Sequence, residues 1–206
     1  MSSDGGRSGL ESPGGEASLT PEENAIVEES HRLIAALGKP YLEGLGIACV
    51  AGIDVAEAVR RLSAEVLGDR EELEAAWEED PFNDGNTILT MWATDVPGGC
   101  VLAQPWGYGP EMPGVTKALS AGTTCYGMYA NPKSGNQGSI VRDGEIIGSD
   151  LHPGGGEPDD DLLACLYEDE ALAYCFAYAG LRPVDNRSVI GPPDAWIRLP
   201  DRDYWS

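Results

Sequence analysis

Histidine is nearly absent from this chain, with two in 206 residues, and cations are scarce, 13 Lys and Arg against 35 Asp and Glu. Two imidazoles are too few for a three-histidine metal centre. His31, flanked by Glu28, Glu29 and Arg32, reads as a solvated helix position, and neither histidine is set for a Ser-His-Asp triad. No GxGxxG follows a strand-like run, the Gly154–Gly156 triplet leads to neither Lys-Ser nor Lys-Thr, and the acids do not keep calcium-loop spacing, so no cofactor is expected. No apolar run approaches the ~20 residues that span a bilayer. The first residues have neither a cationic start nor an apolar stretch, so no signal peptide is expected. The five cysteines form no CxxC pair, and four sit inside strand or helix patterns, where a free thiol behaves as a small buried hydrophobe. A cytoplasmic location is expected on these grounds.

The formal charge of -22 argues against nucleic acid or anionic lipid as partner, since both would be repelled. It leaves two readings: a solvated surface, or an acidic face that docks on a basic protein or mimics a nucleic acid.

Enough apolar residues remain, 42% of the chain, for one buried core. Residues 1–18 are Gly, Ser, Glu and Pro and are expected to be disordered. A single domain over 19–190 and an extended aromatic tail over 191–206, carrying Trp196, Tyr204 and Trp205, are expected to follow. Thr20-Pro21-Glu22-Glu23 is a capping box that starts a helix ending at Gly38. Gly44–Ala51 reads as a strand, and Asp54-Val55-Ala56-Glu57 caps a helix expected to reach Gly68. A third helix is expected from Asp69 to about Glu79.

The Ile-, Val-, Thr-, Trp- and Tyr-rich runs at Thr87–Thr94, Cys100–Pro105, Thr123–Ala130, Ser139–Arg142 and Glu145–Ser149 predict the sheet. Val96-Pro97-Gly98 has the order of a type II turn, and Glu111–Ala121 reads as one short helix. Asp143-Gly144 is a hairpin turn that sets Arg142 opposite Glu145, Val141 opposite Ile146 and Ile140 opposite Ile147. The acids at Asp159–Asp161 open a helix to about Ala179, in which Asp169 falls on the apolar face and allows a break near Glu168. The fold class predicted is α+β, an antiparallel sheet of about five or six strands flanked by helices.

Three segments, Gly46–Leu62, Val101–Leu119 and Leu172–Val184, resemble a family of uncharacterised actinobacterial proteins, a domain of unknown function of about this size. The resemblance implies a strand ending in Glu-Pro, a Gly-rich aromatic loop and a helix with a Leu-Ser-x-Gly stop. Here the Glu place is Gln104, followed by Pro105, by Trp106-Gly107-Tyr108-Gly109 and by Leu119-Ser120-Ala121-Gly122. Gln104 carries no charge where the family pattern has Glu, a departure that weighs against an acid-base or metal role at that position.

The remaining candidates are aromatic. Trp106 and Tyr108 sit in a Gly/Pro loop where the rings are either displayed or folded back over the sheet edge. A second loop, Asn131–Asn136, is expected at the opposite end of a neighbouring strand. Tyr167, Tyr174 and Tyr178 cluster on one flank of the last long helix. His152, near Glu157–Asp161, is open to a metal or base role, against the plainer reading of an acidic helix start favoured by the helix dipole. The function expected is a non-catalytic protein-interaction module of an immunity-like, regulatory or adaptor kind, with a basic protein as partner. The alternative is a small-molecule-binding protein or enzyme of a specialised biosynthetic pathway with a tyrosine-lined pocket.

Overall fold

A computed structural model describes residues 20–40, 42–68, 90–154 and 166–206. The helix expected from Asp69, the start of the Asp159 helix, the Glu157–Asp161 acids, Cys165 and the N-terminal stretch lie outside these residues.

Among these residues the architecture is α+β: helices on both faces of one open antiparallel sheet of eight strands rather than five or six. In chain order the strands are β1 (Gly46–Ala51), β2 (Glu65–Leu67), β3 (Thr90–Val96), β4 (Gly99–Gln104), β5 (Thr124–Asn131), β6 (Gly135–Arg142), β7 (Glu145–Asp150) and β8 (Ala195–Arg198), and they lie in the order β2-β8-β3-β4-β1-β5-β6-β7. The helices are α1 (Pro21–Leu37), α2 (Val55–Leu62), α3 (Pro113–Leu119), α4 (Ala171–Tyr178) and α5 (Arg187–Ile190).

β1 lies inside the sheet, between β4 and β5, and is buried on both faces, which is why it reads as an unbroken apolar run. Its residues alternate between two cores. Ile47 and Cys49 join Val101, Ala103, Tyr126 and Met128 under α1 and α4, while Ala48 and Val50 join Leu102, Cys125 and Val141 under α2 and α3. Two stripes of apolar side chains of opposite phase therefore hold one sheet between two helical layers.

The two strands the sequence did not predict come from places it disguises. The second helix ends at Leu62, where Ser63 takes a left-handed conformation, and Glu65–Leu67 continues as β2 instead of helix. The segment expected as an extended tail supplies β8, which pairs with both β2 and β3 and sets Trp196 edge-on to Trp92, ring centroids 5.4 Å apart. Glu111–Ala121 divides into a 3-10 turn, Gly109–Glu111, and α3. In the β6–β7 hairpin, Arg142 faces Glu145 and Val141 faces Ile146 as expected, but a bulge then moves Ile140 opposite Gly148 rather than Ile147. The break near Glu168 falls at Asp169, φ 61°, after which α4 begins. Among the described residues no helix is long and apolar enough to cross a membrane.

Candidate functional site: an aromatic face at one end of the sheet

β4 ends at Gln104, β5 ends at Asn131 and β1 begins at Gly46, and Gly46 is the residue paired with both Gln104 and Tyr129. The Gln104–Pro110 loop and the Asn131–Gly135 turn therefore lie at the same end of the sheet, not at opposite ends.

The loop is clamped by one side chain. Gln104 donates through Nε2 to the Thr90 carbonyl at 3.0 Å and accepts at Oε1 from the Gly109 amide at 2.7 Å, joining β3 to the far side of the loop. A carboxylate could only accept, so glutamine suits this position in a way glutamate does not. Gly46 is needed beneath the loop, because a side chain there would run into the Gly107 carbonyl. The amides of Glu111 and Met112 both donate to the Tyr108 carbonyl, which turns the chain into the 3-10 segment.

This scaffold presents rings. Trp106 has φ 57°, an outlying backbone for a bulky residue, and lies over Gly44, where any side chain would collide with the indole. Trp106 is 57% exposed, Tyr108 45% and Trp205 60%, so the loop aromatics are displayed. The Tyr108 ring lies 4.0 Å from the buried Tyr129 ring and 6.3 Å from Trp205, centroid to centroid. Trp205 is brought here by the C-terminal chain, whose Tyr204 carbonyl accepts from the Gly114 amide of α3 at 2.7 Å.

Carboxylates accompany the rings. Glu43 is exposed beside Gly44, and the exposed Asp203 accepts from the Trp205 amide at 2.8 Å. Glu111 is partly buried against Gly127 of β5; burial pushes its carboxyl above the usual range, partly offset by the Ser139 hydroxyl. Burial, then the neighbouring Tyr108, pushes up the Tyr129 hydroxyl. The set offers exposed aromatic area with the exposed acids Glu43 and Asp203 and the exposed cations Lys133 and Arg202 close to it in the chain, and aromatic faces of this kind suit an apolar or cationic partner side chain.

Tyr174 and Tyr178 of α4, and Tyr167 before it, belong to the opposite face of the sheet. Tyr174 and Tyr178 meet the Tyr126 ring at centroid distances of 5.7 and 5.2 Å, so Tyr126 fills the sheet face beneath them. Tyr167 lies apart, buried near α1, its hydroxyl pushed up to about 12 by burial and by the Glu29 carboxylate. Tyr126 donates to Asp150 at 2.6 Å, and Asp150 accepts from the His152 amide at 2.9 Å, so the backbone of His152 is tied to β7. Among the described residues no group of three or more His, Cys, Asp or Glu is placed to hold a metal ion.

Sequence reasoning missed Tyr129, Glu111 and the approach of Trp205. Strand alternation does put Tyr129 on the face opposite Tyr126 and Met128, but only the path of the loop over β5 makes that position part of a site. No family model, no curated protein and no solved structure matches this chain.

Proposed function

We propose that the protein is a non-catalytic interaction module that docks a basic protein through the Trp106, Tyr108 and Trp205 face, in an immunity-like, regulatory or adaptor role. The observation that carries this reading is the display of three large rings at one end of the sheet, Trp205 on the C-terminal chain and Tyr108 and Trp106 on a loop that holds Trp106 at a positive φ. Backbone strain of this kind costs on the order of 1–3 kcal/mol and persists where the surroundings enforce it, often at binding sites. Aromatic anchors of low conformational freedom dominate binding energy at protein interfaces. The formal charge of -22 supplies attraction to a cationic partner over longer range.

The test is capture of partners from a cellular extract by the full chain at low and high salt, with Trp106→Ala as a parallel bait. Retention of a basic protein at low salt, weakened by salt and by the substitution, supports the reading. Retention indifferent to both removes it.

A further inference from the structure

We infer that the outer edge of β7 takes an extended, positively charged segment of a partner protein as a ninth strand. This goes beyond the aromatic reading, shares with it only the sign of the partner's charge, and stands even if Trp106 binds nothing.

Among the described residues the sheet has two edges, β2 and β7, and they differ. β2 is three residues long, and a short edge gives a visiting strand little to pair with. β7 is six residues long, and among the described residues it pairs only with β6 and no other backbone bond reaches it. Its sequence, EIIGSD, has neither lysine nor proline, the residues that commonly blunt an edge. Ile146 is 44% exposed, Ile147 52% and the following Leu151 66%, an apolar strip along a strand edge whose outward amides and carbonyls have no backbone partner among the described residues.

The edge is also held rigid. At its start the Asp143 amide donates to the Thr123 carbonyl and the Gly144 amide to Ser120 Oγ, and at its end Asp150 is fixed by the Tyr126 hydroxyl. The bulge lies at the hairpin end, and from Gly148 to Asp150 the ladder with β6 is regular. A strand fixed before binding loses little freedom when a partner adds to it, and main-chain hydrogen bonds supply the affinity.

Charge selects the occupant. If two copies paired antiparallel and symmetrically along β7, Glu145 would face Asp150 of the second copy at both ends, and each chain carries a formal charge of -22. Like charges directly opposite destabilise a strand pair, whereas Lys or Arg at those places stabilises it.

The experiment uses the full chain with backbone amides followed by hydrogen exchange, titrated with a synthetic octapeptide of alternating Lys and Val and with its Glu-Val counterpart. The inference expects the freely exchanging amides of Glu145–Leu151 to slow about tenfold or more with the Lys-Val peptide alone. It expects Ile147→Lys, at an exposed position, to weaken that peptide about tenfold and Trp106→Ala to leave it unchanged. Absence of protection at β7, protection at β2 instead, or equal protection by the Glu-Val peptide overturns it. So does β7 protection in the free protein that grows with protein concentration, which would assign the edge to a second copy. Loss of the effect in Trp106→Ala would return the peptide to the aromatic face.

Discussion

Tyr126 donates its hydroxyl to the Asp150 carboxylate across 2.6 Å, tying β5, inside the sheet, to the last residue of the edge strand β7. Burial, then the nearby Cys175 and Asp150, pushes the Tyr126 hydroxyl far above its ordinary range, so it remains a donor throughout the neutral region. Tyr126→Phe keeps the ring against Tyr174 and Tyr178 and removes only the donor. The expected loss is about 1.5–3 kcal/mol in denaturant unfolding, because the hydrogen bond is to a charged group. Faster amide exchange at Asp150 and His152 should accompany it.

Gln104 offers a second test of a single side chain. Gln104→Ala strips partners from the Thr90 carbonyl and the Gly109 amide and should cost about 1–3 kcal/mol, with the Trp106 loop loosened. Gln104→Glu can still accept from Gly109 but turns a carboxylate toward the Thr90 carbonyl. Its folded pKa should be raised, so the deficit at neutral pH should shrink as acid protonates the new side chain. Denaturant melts of both variants at pH 7 and at about pH 4 check the sign; a deficit that does not change with pH would contradict this account of the clamp.

Stability of the whole chain should fall at both ends of the pH scale for identified reasons. Glu57 is bound by Arg60 and Arg61, which hold its carboxyl down at about 2 against an ordinary 4.5. A depressed folded pKa means that the contribution is present above pH 4.5 and is lost as pH falls toward 2. Arg61 also donates to the Leu119 and Ala121 carbonyls, so acid should loosen α2 from the end of α3. At the alkaline end, Cys49, Cys100, Cys125 and Cys175 are buried, and burial pushes their thiols up, that of Cys100 to about 12. Raised folded values mean stability that is complete below the ordinary thiol pKa and declines as pH rises through it. Thermal melts across pH, with Glu57→Gln flattening the acid limb, check the first; site-resolved alkylation that finds these four thiols inert in the folded chain checks the second.

Much of the fold is written in local signals. The Thr20 capping box forms both reciprocal bonds, the Asp143-Gly144 turn sits where expected, and β1, β3, β4, β5, β6 and β7 overlap the strand-like runs. The missed strands are short and depend on distant partners: β2 looks like the end of a helix until β8 lies beside it, and β8 looks like a tail until β2 and β3 take it between them. The bulge opposite Ile140 could not be read because side-chain pattern alone favoured Ile147 as partner. For the site, Trp106 and Tyr108 were visible as aromatics between glycines. Tyr129, Glu111 and Trp205 were not, because three separate segments reach one sheet end only through the crossing of the loop and the return of the C-terminal chain.

The measurement closest to the central claim is Trp106→Ala, followed by melting temperature and by partner retention per folded molecule. A displayed ring predicts a melting temperature little changed and binding weakened by about 2 kcal/mol or more. A loss of roughly 3–5 kcal/mol of stability, the cost of a core cavity, with binding per folded molecule unaltered, would contradict the account.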